Sequence, residues 1–137
     1  MRMLDLFSGI GGFAYAADTV FGDDLEIAGF CEIDKFCQQL LKQHWPGVPI
    51  HQDVKELNGT QVKGTIDIIT GGFPCQPFSS AGKRLGTDDD RHLWPQMYRI
   101  IQDLSPRWVV GENVYGFISW NEGMVFEQSC IDLENAG

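Results

Sequence analysis

The sequence predicts an α/β fold, a mostly parallel sheet with helices on both faces. Two observations carry that expectation. Short apolar, β-branched runs alternate with segments whose apolar residues fall at helical spacing, with neither internal repeats nor low-complexity linkers. The residue types that do chemistry also gather just after the strand-like runs, and an open parallel sheet places its ligands beyond the carboxyl ends of its strands.

The elements follow in order. "RMLDLF" (2–7) reads as a short buried strand, and "SGIGG" (8–12) turns the chain into a helix. Phe13, Ala16, Ala17, Val20 and Phe21 supply that helix's apolar stripe. "LEIAGFCE" (25–32) is a second strand; Phe36, Leu40 and Leu41 mark a second helix that ends before Pro46. A short third strand is expected near 48–51, running into Asp53. "TIDIIT" (65–70) is a fourth strand, and Leu93, Met97, Ile100, Ile101 and Leu104 fall on one helical face. "RWVVGE" (107–112) is a fifth strand. A last helix is expected over about 121–135, with "NAG" as its stop signal. Gly9–Gly12, Glu32, Asp53, Cys75 and Glu112 then share one rim of the sheet.

Length and composition bound the rest. The 137 residues, 43% hydrophobic, make one domain able to bury roughly two-thirds of its unfolded surface. No run approaches the roughly 20 apolar residues of a membrane span, and "MRMLDLFSG" has no signal-peptide pattern, so a cytoplasmic protein is expected. Cys31, Cys37, Cys75 and Cys130 form no C-x-x-C pair, and His44, His51 and His92 stand at no ligand spacing from them. Neither a disulfide framework nor a metal site is expected. The net charge is −9 and the pI about 4.5, the reverse of a self-sufficient DNA-binding domain. Residues 121–137 carry Glu122, Glu127, Asp132 and Glu134 with no basic residue, whereas Lys83, Arg84 and Arg91 follow Cys75. Any nucleic-acid contact by this chain alone would be local.

"GIGGFA" (9–14) matches G-x-G-x-x-A between a strand and a helix, and Glu32 closes the next strand 20 residues after Gly12. Small residues let the backbone approach a ligand, and the acid accepts bonds from ribose hydroxyls, the layout of an adenosine-containing cofactor site. Asp53, at the third strand's end, fits an adenine amino group or an ordinary turn cap. Phe7 and Ile33 read equally as core. The loop does not separate nicotinamide dinucleotides from S-adenosylmethionine.

"GGFPCQPFSS" (71–80) holds Cys75 between prolines, where no helix forms. A thiolate nucleophile needs exposure and an environment favouring the anion. Backbone N–H groups, Ser79, Ser80, Lys83 and Arg84 are the donors nearby in sequence. Cys31 reads as core, and Cys37 and Cys130 as structural. Glu112 ends the strand after the one feeding Cys75, so neighbouring strands would bring thiol and carboxylate to one small volume. Leaving a buried strand, Glu112 would be desolvated toward proton-donor range; the plainer alternative is an exposed acid at a strand end.

"DLFSGIGGF" (5–13), "EID" (32–34), "GGFPCQPFS" (71–79) with "GKR" (82–84), and "ENV" (112–114) occur in the order and spacing of DNA (cytosine-5) methyltransferases, which the whole chain resembles. The resemblance implies a Rossmann-like S-adenosylmethionine-dependent methyltransferase fold with five of the usual seven strands. It implies that Phe7, Ser8, Gly9, Gly11, Gly12, Glu32, Ile33 and Leu93 hold the cofactor and that Asp53 meets its adenine. Cys75 would be the nucleophile, oriented by Pro74. Glu112 would act at the cytosine ring, and Asn113 would help place the Pro-Cys loop. Gln76, Ser79, Lys83 and Arg84 fit DNA contacts around a flipped base. Bacterial or phage restriction-modification is the implied setting.

The family's Gln-x-Arg-x-Arg element, target-recognition domain and closing segment do not occur in these residues. The expectation is a truncated catalytic domain (1–137) acting on double-stranded DNA. It would be completed by a C-terminal chain or associate through the exposed fifth strand. A catalytically silent cofactor-binding module is the alternative. A nicotinamide dehydrogenase leaves Pro-Cys-Gln and Glu-Asn-Val without a role.

Overall fold

The computed structural model describes residues 1–62, 64–74 and 93–137. Five parallel strands form one sheet: β1 (Arg2–Leu6), β2 (Glu26–Cys31), β3 (Ile50–His51), β4 (Ile68–Gly72) and β5 (Trp108–Glu112). Their order is β3-β2-β1-β4-β5, so the direction of winding reverses between β1 and β4. Among the described residues the helices α1 (Gly12–Phe21), α2 (Lys35–His44) and α3 (Trp94–Leu104) lie between strands, and α4 (Tyr115–Ser119) and α5 (Met124–Ala136) follow β5. Among the described residues no helix is long and apolar enough to cross a membrane.

Strand alternation divides the core in two. Leu4, Leu6 and Ile69 pack with Trp94, Met97, Ile100 and Ile101 of α3, Phe117 of α4 and Val125 of α5. Ala14 of α1, Phe30 of β2 and Leu41 of α2 form the second cluster. β5 remains an edge strand, with Trp108 62% and Val110 42% exposed.

Three local expectations need correction. In α1 the buried residue is Ala14, while Ala16 is exposed and Val20 is 73% exposed. In α2 Phe36 is 65% exposed and Gln38 is buried instead, its amide donating to the Glu32 carbonyl at 2.7 Å. The last helix begins at Met124, not 121. Asn121, Glu122 and Gly123 take left-handed backbone, and the short α4 precedes them.

Gly11 shows why the loop needs glycine. Its φ is +89°, and a Cβ there would lie 2.5 Å from the Trp45 ring and 3.0 Å from Leu41 Cδ2. Gly11→Ala is expected to cost about 3 kcal/mol, combining left-handed strain with overpacking. Urea unfolding in a Trp45→Leu background checks the cause, because removing the ring should relieve at least ~1 kcal/mol of that cost. Equal costs in both backgrounds would rule the ring contact out.

Candidate active site

The register across the sheet sets the site. Leu6 stands between Cys31 of β2 and Gly71 of β4, and Gly72 is level with Glu112 of β5. Phe7, Glu32, Pro74 and Asn113 therefore leave the sheet at one rim, where the winding reverses. A cleft of about 550 Å³ opens there, bounded by Phe7, Glu32, Ile33, Asp53, Pro74 and Leu93.

The glycine loop is fixed from below. Ser8 donates its hydroxyl to the Asp5 carbonyl at 2.7 Å and its backbone N–H to the Cys31 carbonyl at 3.1 Å. Phe7 and Gly9 both have φ of +53°. For Phe7 that conformation is unfavourable, and such outliers persist where surrounding structure imposes them, often at ligand sites. Gly12 opens α1 and faces solvent.

Each acid of the cleft is held by backbone donors with accepting capacity left over. Glu32 accepts from the Gly9 N–H and the Asp34 N–H, one at each oxygen, both at 2.7 Å. A carboxylate has about four lone-pair sites, so both oxygens retain one. Asp53 Oδ1 accepts from the Lys55 N–H at 2.8 Å, leaving Oδ2 for another donor. Ile33, 72% exposed, is surface at the cleft mouth and not core.

The segment leading to Cys75 is anchored from three sides. Phe73 packs against Trp94 with ring centroids 5.5 Å apart and against Phe117 at 5.2 Å. Its carbonyl accepts from Asn113 Nδ2 at 2.9 Å. Glycine at 72 leaves room for the neighbouring acid, since a Cβ there would lie 3.1 Å from Glu112 Oε2. Glu112 itself is exposed, because β5 is an edge strand. Among the described residues this matches the plainer expectation, an exposed acid at a strand end.

Cys75, Gln76, Ser79, Lys83 and Arg84 lie outside the described residues. Cys31 is core, as expected, and burial pushes its thiol up to about 12, so it stays protonated. Sequence reasoning missed Gln52, Val54, Lys55 and Gly72 in the cleft wall, although three of them flank Asp53 in the chain. It also missed Asp5. This carboxyl is fully buried in β1, accepts from Thr70 Oγ1 at 2.6 Å, and has no partner for Oδ2 among the described residues.

The chain is similar to known proteins over its whole length. The C-5 cytosine-specific DNA methylase family matches residues 1–137. The type II methyltransferase M.HgiBI of Herpetosiphon aurantiacus is 36% identical over 137 residues, covering 99% of this chain and 31% of that protein. M.PspPI of a Psychrobacter species is 38% identical over 142 residues, covering 98% and 32%. A candidate DNA modification methyltransferase encoded within a prophage (E. coli) superposes with a TM-score of 0.80 at 28% identity, covering 98% of this chain and 38% of that one. The chain thus spans about a third of the length of the curated relatives it matches. It belongs to the C-5 cytosine-specific DNA methylase family.

Proposed function

We propose that this chain is the cofactor-binding and nucleophile-bearing part of a DNA (cytosine-5) methyltransferase that uses S-adenosylmethionine. The observation that carries the reading is the single cleft that gathers Phe7, Glu32, Ile33, Asp53 and Leu93 beside Pro74. The donor set fits the group. Glu32 has lone pairs for two ribose hydroxyls, and Asp53 Oδ2 suits an adenine amino group. Phe7 and Ile33 offer apolar faces to the purine, and left-handed backbone at Gly9 and Gly11 lets the loop approach closely. When bound, S-adenosylmethionine supplies an electrophilic methyl group.

Carbon 5 of cytosine is a poor nucleophile, and the chain's own residues would change that. The Cys75 thiolate adds to carbon 6 while Glu112 donates a proton or hydrogen bond to ring nitrogen 3. The ring would become an enamine, nucleophilic at carbon 5, toward which a bound cofactor would present its methyl group. Loss of the carbon 5 proton to solvent water and expulsion of the Cys75 thiolate would then restore aromaticity. Asn113, bonded to the Phe73 carbonyl, would hold the Pro74–Cys75 segment for that attack. The target base must leave its stack, with Gln76, Ser79, Lys83 and Arg84 as DNA contacts. A complementing polypeptide seated on the exposed β5 edge would supply target recognition, and self-association through the same edge is the alternative use of that strand.

Calorimetric titration with S-adenosylhomocysteine tests the cofactor site. Saturable binding is expected, weakened at least about tenfold by Glu32→Ala through loss of its charge-assisted bonds. Binding indifferent to both Glu32→Ala and Asp53→Ala would overturn the site. No binding at all would overturn the claim that this chain suffices to hold the cofactor.

A further inference from the structure

Behind the cleft, one helix reaches across to the turn that presents Asp53. The turn is built locally: the Asp53 carbonyl accepts from the Glu56 and Leu57 N–H groups, each at 3.1 Å, and its carboxylate accepts from the Lys55 N–H. Nothing in those bonds fixes the turn relative to the sheet. That is done by α3. Arg99 Nη2 donates to the Val54 carbonyl at 2.9 Å, one residue after Asp53. The guanidinium is itself oriented, with Nε donating to Gln96 Oε1 at 3.2 Å and Nη1 lying 3.8 Å from Asp103 Oδ2. Asp103 Oδ2 also accepts from the Gly59 N–H at 3.1 Å, so a second point of the same segment is tied to α3. The helix is rigid where it matters, because Met97, Ile100 and Ile101 are buried in the core. Its first turn follows directly on Leu93, which lines the cleft.

We propose that Arg99 is a positioning residue for recognition of the cofactor's purine. By holding the Val54 carbonyl against α3, it sets the direction from which the Asp53 carboxylate enters the cleft. This rests on the reading that the cleft takes an adenosine-containing cofactor. The geometry favours arginine: two donors leave a planar fork toward different acceptors while the third nitrogen faces Asp103 as an ion pair, which a single ammonium on a flexible stem does not reproduce. A carboxylate accepts from a 6-amino group and repels a 6-oxo group, so a well-placed Asp53 discriminates adenine from hypoxanthine. A loosened turn loses that discrimination before it loses general affinity, because the ribose is held by Glu32 on another strand.

The experiment compares S-adenosylhomocysteine with S-inosylhomocysteine, by calorimetry, on the wild-type chain, Arg99→Gln, Arg99→Lys and Asp53→Asn. Amide hydrogen exchange of Glu56 and Leu57 is followed in the absence of ligand. The wild type is expected to prefer the adenine ligand. Arg99→Gln is expected to reduce that preference about tenfold, the loss of roughly one charge-assisted hydrogen bond, with inosine binding little changed. Arg99→Lys restores part of the preference, and the Glu56 and Leu57 amides exchange faster in Arg99→Gln. Undiminished preference in a folded Arg99→Gln chain overturns the proposal. A wild-type chain that binds neither ligand defeats the cofactor reading instead, and the exchange data then decide the clamp. Faster exchange at Glu56 and Leu57 upholds it, and unchanged exchange overturns it.

Discussion

Cys75→Ser is expected to reduce transfer of labelled methyl to DNA to background when the chain is supplied with the carboxy-terminal part of a related methyltransferase. The expected loss is nearly complete because serine differs in the property the reaction needs. The attacking species is an anion, and a free thiol ionises at pH ~8.5, whereas a hydroxyl stays protonated. Cys31 and Cys37 are no substitute. Cys31 is buried with its thiol pushed up to about 12, and burial together with the Asp34 hydrogen bond also raises Cys37. Glu112→Gln should leave a residue of activity, since general acid assistance contributes typically 10²–10⁴-fold. Transfer that survives in Cys75→Ser would sink the covalent scheme, provided that both variants still bind S-adenosylhomocysteine like the wild type.

Much of this site was legible because its signals are local. Glycine spacing and an acid at a strand end need only the sequence, and the parallel strands put Phe7, Glu32 and Pro74 on one rim. What escaped depended on tertiary contacts. α1 buries Ala14 because Gly11 lies against Trp45 and brings the helix too close for a larger residue at the contact. The apolar pattern instead favoured the bulkier Val20, which ends in solvent. Gln38 displaces Phe36 from the buried face of α2 because its amide has a specific acceptor, the Glu32 carbonyl, which no periodicity predicts. Glu112 was assigned a buried strand from "WVV", yet burial of that strand requires a neighbour beyond β5. Arg99 gave no signal at all, because its partner lies 45 residues away.

Asp5 makes the stability of this chain depend on pH in an unusual direction. Its carboxyl is fully buried in β1 with one hydrogen bond from Thr70, a second oxygen orphaned among the described residues, and Glu32 as a nearby like charge. Burial raises its pKa to about 7, and Glu32 adds to the rise, against the opposing influence of the Thr70 hydrogen bond and the nearby Ser8 hydroxyl. In the unfolded chain the same group titrates near ~3.9. Below that pH both states are protonated and the native state bears no charge penalty. As pH rises toward 7 the unfolded chain ionises while the native state retains its proton, so stability falls progressively. Above 7 both are ionised, and the native state carries the full cost of a buried charge, on the order of 4 kcal/mol. His51 acts oppositely, since burial lowers its pKa and its stabilising contribution fades as pH drops below ~6.5. The two are separated by difference. Asp5→Asn keeps the shape and removes the charge, so urea unfolding at pH 5.5 and pH 8.0 should show the variant gaining about 2 kcal/mol on the wild type over that interval. Parallel pH profiles for the two proteins would mean that Asp5 finds a partner for its charge in solution.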